Sequence, residues 1–185
     1  ISTWWDNRDG RLLRVRFAGF DRRPTAQLAA GGIQIANAVY DSLFVFDKDF
    51  KATPYLAESS SWNPEYTSLT IKLRQGITFH DGTPVNAEAV RFSLDRHLNL
   101  QGSSRRAEIS TIQSIDVVDP LTVRLNLSEP QAPLIATLAD RAGMVVSPKA
   151  AKEAGDKFGL KPVCAGPYKF VERVQPMLDC PDEAQ

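Results

Sequence analysis

The chain has 185 residues, enough for one substantial domain or one large lobe, with 22 basic and 22 acidic side chains and so no net charge. That balance supplies no field to draw it onto nucleic acid or an anionic membrane, and nucleic-acid binding is disfavoured. A hydrophobic fraction of 43%, a charged fraction of 24%, and 12 prolines and 11 glycines spread as punctuation describe an ordinary globular chain.

Taken in chain order, Leu13 to Phe17 alternates apolar and basic residues, the pattern of a strand with one buried face. Asp21-Arg22-Arg23-Pro24 is a loop. Ala29-Ala30-Gly31-Gly32 leads into Ile33 to Leu43, where Ile33, Ala36, Tyr40 and Leu43 fall at helical spacing. Phe44 to Phe46 reads as a short strand ended by an Asp47-Lys48-Asp49 turn, and Pro54 to Ser59 as one helical turn. Thr67 to Arg74 alternates clearly, with Leu69, Ile71 and Leu73 on one face and Thr70, Lys72 and Arg74 on the other. Gly76 interrupts that run, Ile77 to Phe79 resumes it, and Asp81-Gly82-Thr83-Pro84 supplies a tight turn.

A helix follows, capped by Asn86, with Glu88 near the positive end of its dipole and a stripe of Ala87, Val90, Leu94 and Leu98. Gln101 to Arg106 is a polar loop. Ile112 to Val118 and Thr122 to Leu127, separated by Asp119-Pro120, form a predicted antiparallel hairpin. Leu134 to Ala139 reads as a short helix, Met144 to Val146 as a buried strand, and Pro148 to Ala154 as a helix with proline at its first position and Gly155 as its stop. Tyr168 to Val174 is a last strand. The chain has neither internal repeat nor low-complexity segment. The expected class is α/β with parallel and antiparallel pairing.

No stretch approaches the roughly 18 apolar residues of a membrane span, and residues 1–10 carry no basic-then-apolar leader, so direct membrane insertion is not expected. Cys164 and Cys180 read as unpaired, with a bridge between them the alternative in an oxidising compartment.

Four segments, Ala38 to Leu43, Leu56 to Ser59, the long run from Leu69 to Leu94 (within LTIKLRQGITFHDGTPVNAEAVRFSLDR) and Ala165 to Phe170, resemble the family 5 extracellular solute-binding proteins in content and order. That group includes oligopeptide-, dipeptide- and nickel-binding receptors of ABC importers. The resemblance runs from about Leu13 to Gln175 and implies the N-terminal lobe of a two-lobed periplasmic binding protein-like II fold, in a family whose members are well over twice this length. It implies residues 13–46 and 164–175 as the sheet of a core subdomain and 47–163 as an inserted smaller α/β subdomain. Residues 1–12 and 176–185 stand outside the pattern as atypical ends, with a second lobe absent.

The implied function is capture of a peptide or other small solute in the periplasm for an ABC permease in the membrane, with no cofactor and no catalysis. The glycine loop at Ala29, Ala30 and Gly31 is where relatives present backbone to ligand; small side chains there let a peptide backbone approach. Its competing reading is a plain turn that starts a helix. Arg105 and Arg106, in the loop after the Asn86 helix, are the second ligand-binding candidates, because guanidiniums pair bidentately with carboxylates; the competing reading is a solvated basic loop.

His80, Asp81 and Glu88 invite an acid/base or metal reading, but they fall in a turn with a structural job, and two histidines with two distant cysteines make no zinc ligand set. Neither an esterase elbow nor a phosphate-binding glycine loop occurs. The rival functions are a stand-alone interaction module acting as a homodimer and, with nothing in the sequence to support it, a hydrolase. Trp62 reads as packing.

Overall fold

The computed structural model describes residues 12–16, 39–103 and 105–174, without side-chain detail for 12–16, 156 and 171–174. Its centre is a four-stranded antiparallel sheet in the order β4 (Ala57–Trp62), β5 (Ser68–Leu73), β7 (Thr122–Leu127), β6 (Ile112–Asp119). The alternation read at Thr67 to Arg74 is β5, whose Leu69, Ile71 and Leu73 are all buried. On β7, Val123 and Leu125 sit opposite Ile71 and Leu69, so two inner strands present one continuous apolar face.

Helix α1 (Ala87–Asn99) covers that face. The Asn86 side chain accepts from the Ala89 amide, as the cap requires, and Ala87, Ala89, Val90 and Leu94 are buried in the same core as the sheet. The turn before it folds as expected. The Thr83 backbone N–H and hydroxyl both donate to Asp81, and Gly82 adopts φ 81°, which a glycine takes without penalty. Ile77 to Phe79 does not resume a strand, however; Thr78 forms only an isolated bridge to Pro84.

Two smaller pairings complete the sheet structure of the described residues. β2 (Phe44–Phe46) and β3 (Ala52–Pro54) make an antiparallel hairpin, and β1 (Leu12–Arg16) pairs in parallel with β8 (Lys169–Val174). Short helices α2 (Leu134–Thr137) and α3 (Pro148–Ala154) lie between; α3 has Pro148 in its first turn, Ser147 as cap and Gly155 at its end. The class is therefore the expected mixed α/β.

Three local expectations are corrected. The helix predicted over 33–43 does not reach Leu43, because Tyr40 and Asp41 are not helical and Ser42 bridges Met144; its residues up to 38 lie outside the described ones. Pro54 to Ser59 is not a helical turn but the end of β3 and the start of β4, where pairing with β5 outweighs the local propensity. Met144 to Val146 is buried as expected but is not a strand: it makes single bridges, Met144 to Ser42 and Val146 to Cys164.

Candidate functional site

Five residues from four chain segments line an open groove of about 370 Å³: Phe46, Glu108, Ala136, Thr137 and Asp140. Their supports are apolar. Phe44 enters the core, while Phe46, two residues along β2 and on the same side, lies beyond its edge and stays 41% exposed. Ile109 anchors the 3₁₀ turn Arg106–Ile109, and Leu134 and Leu138 anchor α2, so Glu108 and Thr137 are turned outward beside fully buried neighbours.

Charge at the groove is balanced. Arg105 Nη1 lies 2.5 Å from Glu108 Oε1, with the guanidinium side chain only 15% exposed. Arg141 Nε stands 3.8 Å from Asp140 Oδ1 and, though shielded from solvent, has no hydrogen-bond partner. A planar donor held dry and unsatisfied is unfavourable by itself and favours any acceptor brought to it. Beneath, at the end of α1, burial first and then the Arg96 charge, with a smaller contribution from Arg105, hold the His97 imidazole down to about 4, so it is neutral at physiological pH.

Of the residues anticipated, Arg105 is thus placed beside the groove through its pair with Glu108. Arg106 is exposed at the start of the 3₁₀ turn and does not line the groove. Ala29, Ala30 and Gly31 lie outside the described residues. Phe46, Asp140 and Arg141 carried no signal in the sequence: no local motif marks them, and only the fold brings them to Glu108.

The other suggestive trio is dispersed. His80 Nε2 is 2.8 Å from the Gly166 carbonyl; Asp81 accepts from the Ser147 hydroxyl at 2.5 Å; Glu88 pairs with Arg91. Burial pushes the Asp81 carboxyl up, but hydrogen bonds from Ser147 and Thr83 outweigh it and hold the carboxyl below its ordinary value. The three side chains therefore turn to separate partners, and His80 Nδ1, though shielded from solvent, has no hydrogen-bond partner. Among the described residues, no group of three or more His, Cys, Asp or Glu side chains is close enough to hold a metal ion.

A second polar cluster, not anticipated, lies where the chain enters and leaves the main body. Asp41 is buried beside Tyr55, and Cys164, a buried free thiol, lies beside Tyr40. Gly166 closes the crossing: a Cβ there would stand 2.3 Å from the Val39 carbonyl oxygen.

A mixed α/β unit with an antiparallel sheet, a covering helix and a charge-balanced groove is shared with the two-lobed periplasmic solute-binding proteins. The chain belongs to the bacterial extracellular solute-binding proteins, family 5, whose middle region matches residues 51–176. It is 38% identical over 138 residues to the glutathione-binding protein GsiB of Pectobacterium atrosepticum, covering 74% of this chain and 27% of that protein. The same protein of Salmonella typhi is 38% identical over 137 residues.

Among solved structures, the PBP AgaA from A. tumefaciens in complex with agropinic acid superimposes with a TM-score of 0.74 at 36% identity, over 80% of this chain and 30% of that one. NikZ from Campylobacter jejuni, in complex with Ni(L-His), gives 0.72 at 26% identity, over 85% and 32%. The chain thus spans 27% of the length of the curated relatives it matches.

Proposed function

We propose that this chain contributes one wall of the ligand cleft in an extracytoplasmic, periplasmic solute-binding component of an ABC importer, capturing a peptide-like or other small solute for a membrane permease. The observation that carries the reading is membership of family 5 across residues 51–176, the stretch that includes all of the groove except Phe46. Residues 47–163 are read as the smaller α/β subdomain, inserted between core-subdomain segments 13–46 and 164–175.

The relatives support the solute class by chemistry. Glutathione, agropinic acid and the histidine of a nickel complex all carry carboxylates, named respectively for GsiB, AgaA and NikZ. Among the described residues, Arg105 and Arg141 stand next to the lining carboxylates Glu108 and Asp140, and their guanidiniums are the cations a solute carboxylate would pair with. No step of the reading requires catalysis: the protein binds, closes and delivers.

Isothermal calorimetry of the chain against glutathione and a dipeptide mixture tests this. With one wall of the cleft, the expected affinity is weaker than micromolar, because much of the buried contact surface comes from elsewhere. Sub-micromolar binding would show that one wall suffices and that the cleft is wrongly assigned. Turnover of generic ester or peptide substrates, lost on His80→Ala, would overturn the binding-protein reading itself.

A further inference from the structure

Residues 39–43 form a crossing between distant segments. The Leu43 amide donates to the Gly143 carbonyl at 3.0 Å, Val145 to Asp41 at 3.1 Å, and Gly166 to Val39 at 3.0 Å. The Tyr55 and Ala57 amides both donate to the Leu43 carbonyl. The groove depends on this joint, since Phe46 lies just beyond Leu43 on one side of it, and Asp140 lies just before Gly143 on the other.

At its centre is a carboxyl group with few means of carrying charge. Asp41 is 9% exposed. Among the described residues, the groups facing it are weak acids: Tyr55 from the β3–β4 connection and the Cys164 thiol from the segment before β8. Tyr40, its chain neighbour, lies beside Cys164 and in the field of Arg96 on α1. Arg74 beside β5 spends its Nε on the Tyr55 carbonyl at 2.7 Å, and the His80 amide donates to the Cys164 carbonyl at 2.9 Å.

We propose that the joint is proton-gated: a neutral Asp41 keeps residues 39–43 clamped between the 143–145 and 164–166 segments, and loss of its proton loosens the clamp and the groove walls it holds.

Burial raises the Asp41 carboxyl to about 7 against the partial compensation of the Tyr55 hydrogen bond, and it pushes Tyr55 up to about 12 and Cys164 upward too, so neither neighbour ionises first. The sign follows from linkage. The closed joint holds a proton that the opened, hydrated joint releases at the ordinary carboxylate value. Opening is therefore favoured increasingly as pH rises from about 4 to about 7, and the effect is complete above that.

Amide hydrogen exchange of the whole chain, corrected for the intrinsic base-catalysed rate, reads this directly. Protection of Leu43, Val145 and Gly166 is expected to fall roughly tenfold per pH unit between pH 5 and 7 and to level off above. Asp41→Asn, a neutral isostere, is expected to flatten the profile; an unchanged slope in that variant overturns the proposal. Should Asp41→Asn fail to fold, carbon-13 titration of the Asp41 carboxyl in the unsubstituted chain decides: a midpoint near 7 supports the gate, and one in the ordinary carboxylate range removes it.

Discussion

The four-stranded sheet and the crossing at Asp41 are built from opposite materials. In the sheet, stability comes from apolar side chains stacked in register: Leu69 opposite Leu125, Ile71 opposite Val123, and Val90 and Leu94 of α1 in the same core. In the crossing, backbone hydrogen bonds join residues about a hundred positions apart, around an acid, two phenols and a thiol. Apolar packing is tolerant of small changes and insensitive to pH, whereas a dry polar joint has few alternative arrangements and is costly to disturb. The difference suits a scaffold that stays rigid while its attachment to the rest of the chain responds to conditions.

Substitutions can separate the two kinds of stability. Leu125→Ala empties a fully buried site between β5 and β6, and a loss of about 3 kcal/mol in urea-induced unfolding is expected. That loss should be the same at pH 5 and pH 7, because no ionisable group is touched. Gly166→Ala attacks the crossing instead. Its methyl group would meet the Val39 carbonyl at 2.3 Å and must force the two segments apart, with an expected cost of about 2 kcal/mol. Exchange protection of the Gly166 and Leu43 amides should fall further than that of the sheet amides; uniform loss across the chain would mean that joint and sheet are one cooperative unit.

The same contrast explains what the sequence disclosed. β5, α1 and the β6–β7 hairpin are legible because each satisfies a local rule: alternation at Leu69-Ile71-Leu73, a cap at Asn86, a turn at Asp119-Pro120. Pro54 to Ser59 reads as a helical turn because the serines that follow Glu58 carry no alternation, and only pairing with β5 makes Ala57 to Trp62 a strand. At the site, Arg105 could be singled out as a cation in a polar loop. Asp140, Arg141 and Phe46 could not, since the groove is created by bringing residue 46 to residues 108 and 136–140. Asp41 looked like part of a helix, and its burial depends on Tyr55 and Cys164, neither of which is its neighbour in sequence.

Within the scaffold, smaller effects sharpen the picture. Asn86→Ala removes the hydrogen bond to the Ala89 amide at the start of α1, and about 1 kcal/mol of stability should be lost in thermal unfolding followed by circular dichroism. Because α1 packs on both the sheet core and, through Phe92, the cluster around Cys164, that loss should appear in the exchange of both regions. An effect confined to α1 itself would indicate fraying rather than coupling.

The smallest expected change has the opposite sign. Phe50, at the tip of the β2–β3 hairpin, is held at φ 57° with its ring 86% exposed, so it accepts left-handed backbone strain with almost no burial in return. The tip is fixed by Asp47, whose carboxylate accepts from the Asp49 and Lys51 amides, and that geometry persists whatever side chain follows. Phe50→Gly relieves the strain and loses little packing; the greater freedom of glycine in the unfolded chain offsets part of the gain. The net expectation is a stabilisation of roughly 0.5 kcal/mol, read as a higher urea midpoint with an unchanged slope. A destabilisation instead would show that the Phe50 ring contributes packing despite its exposure.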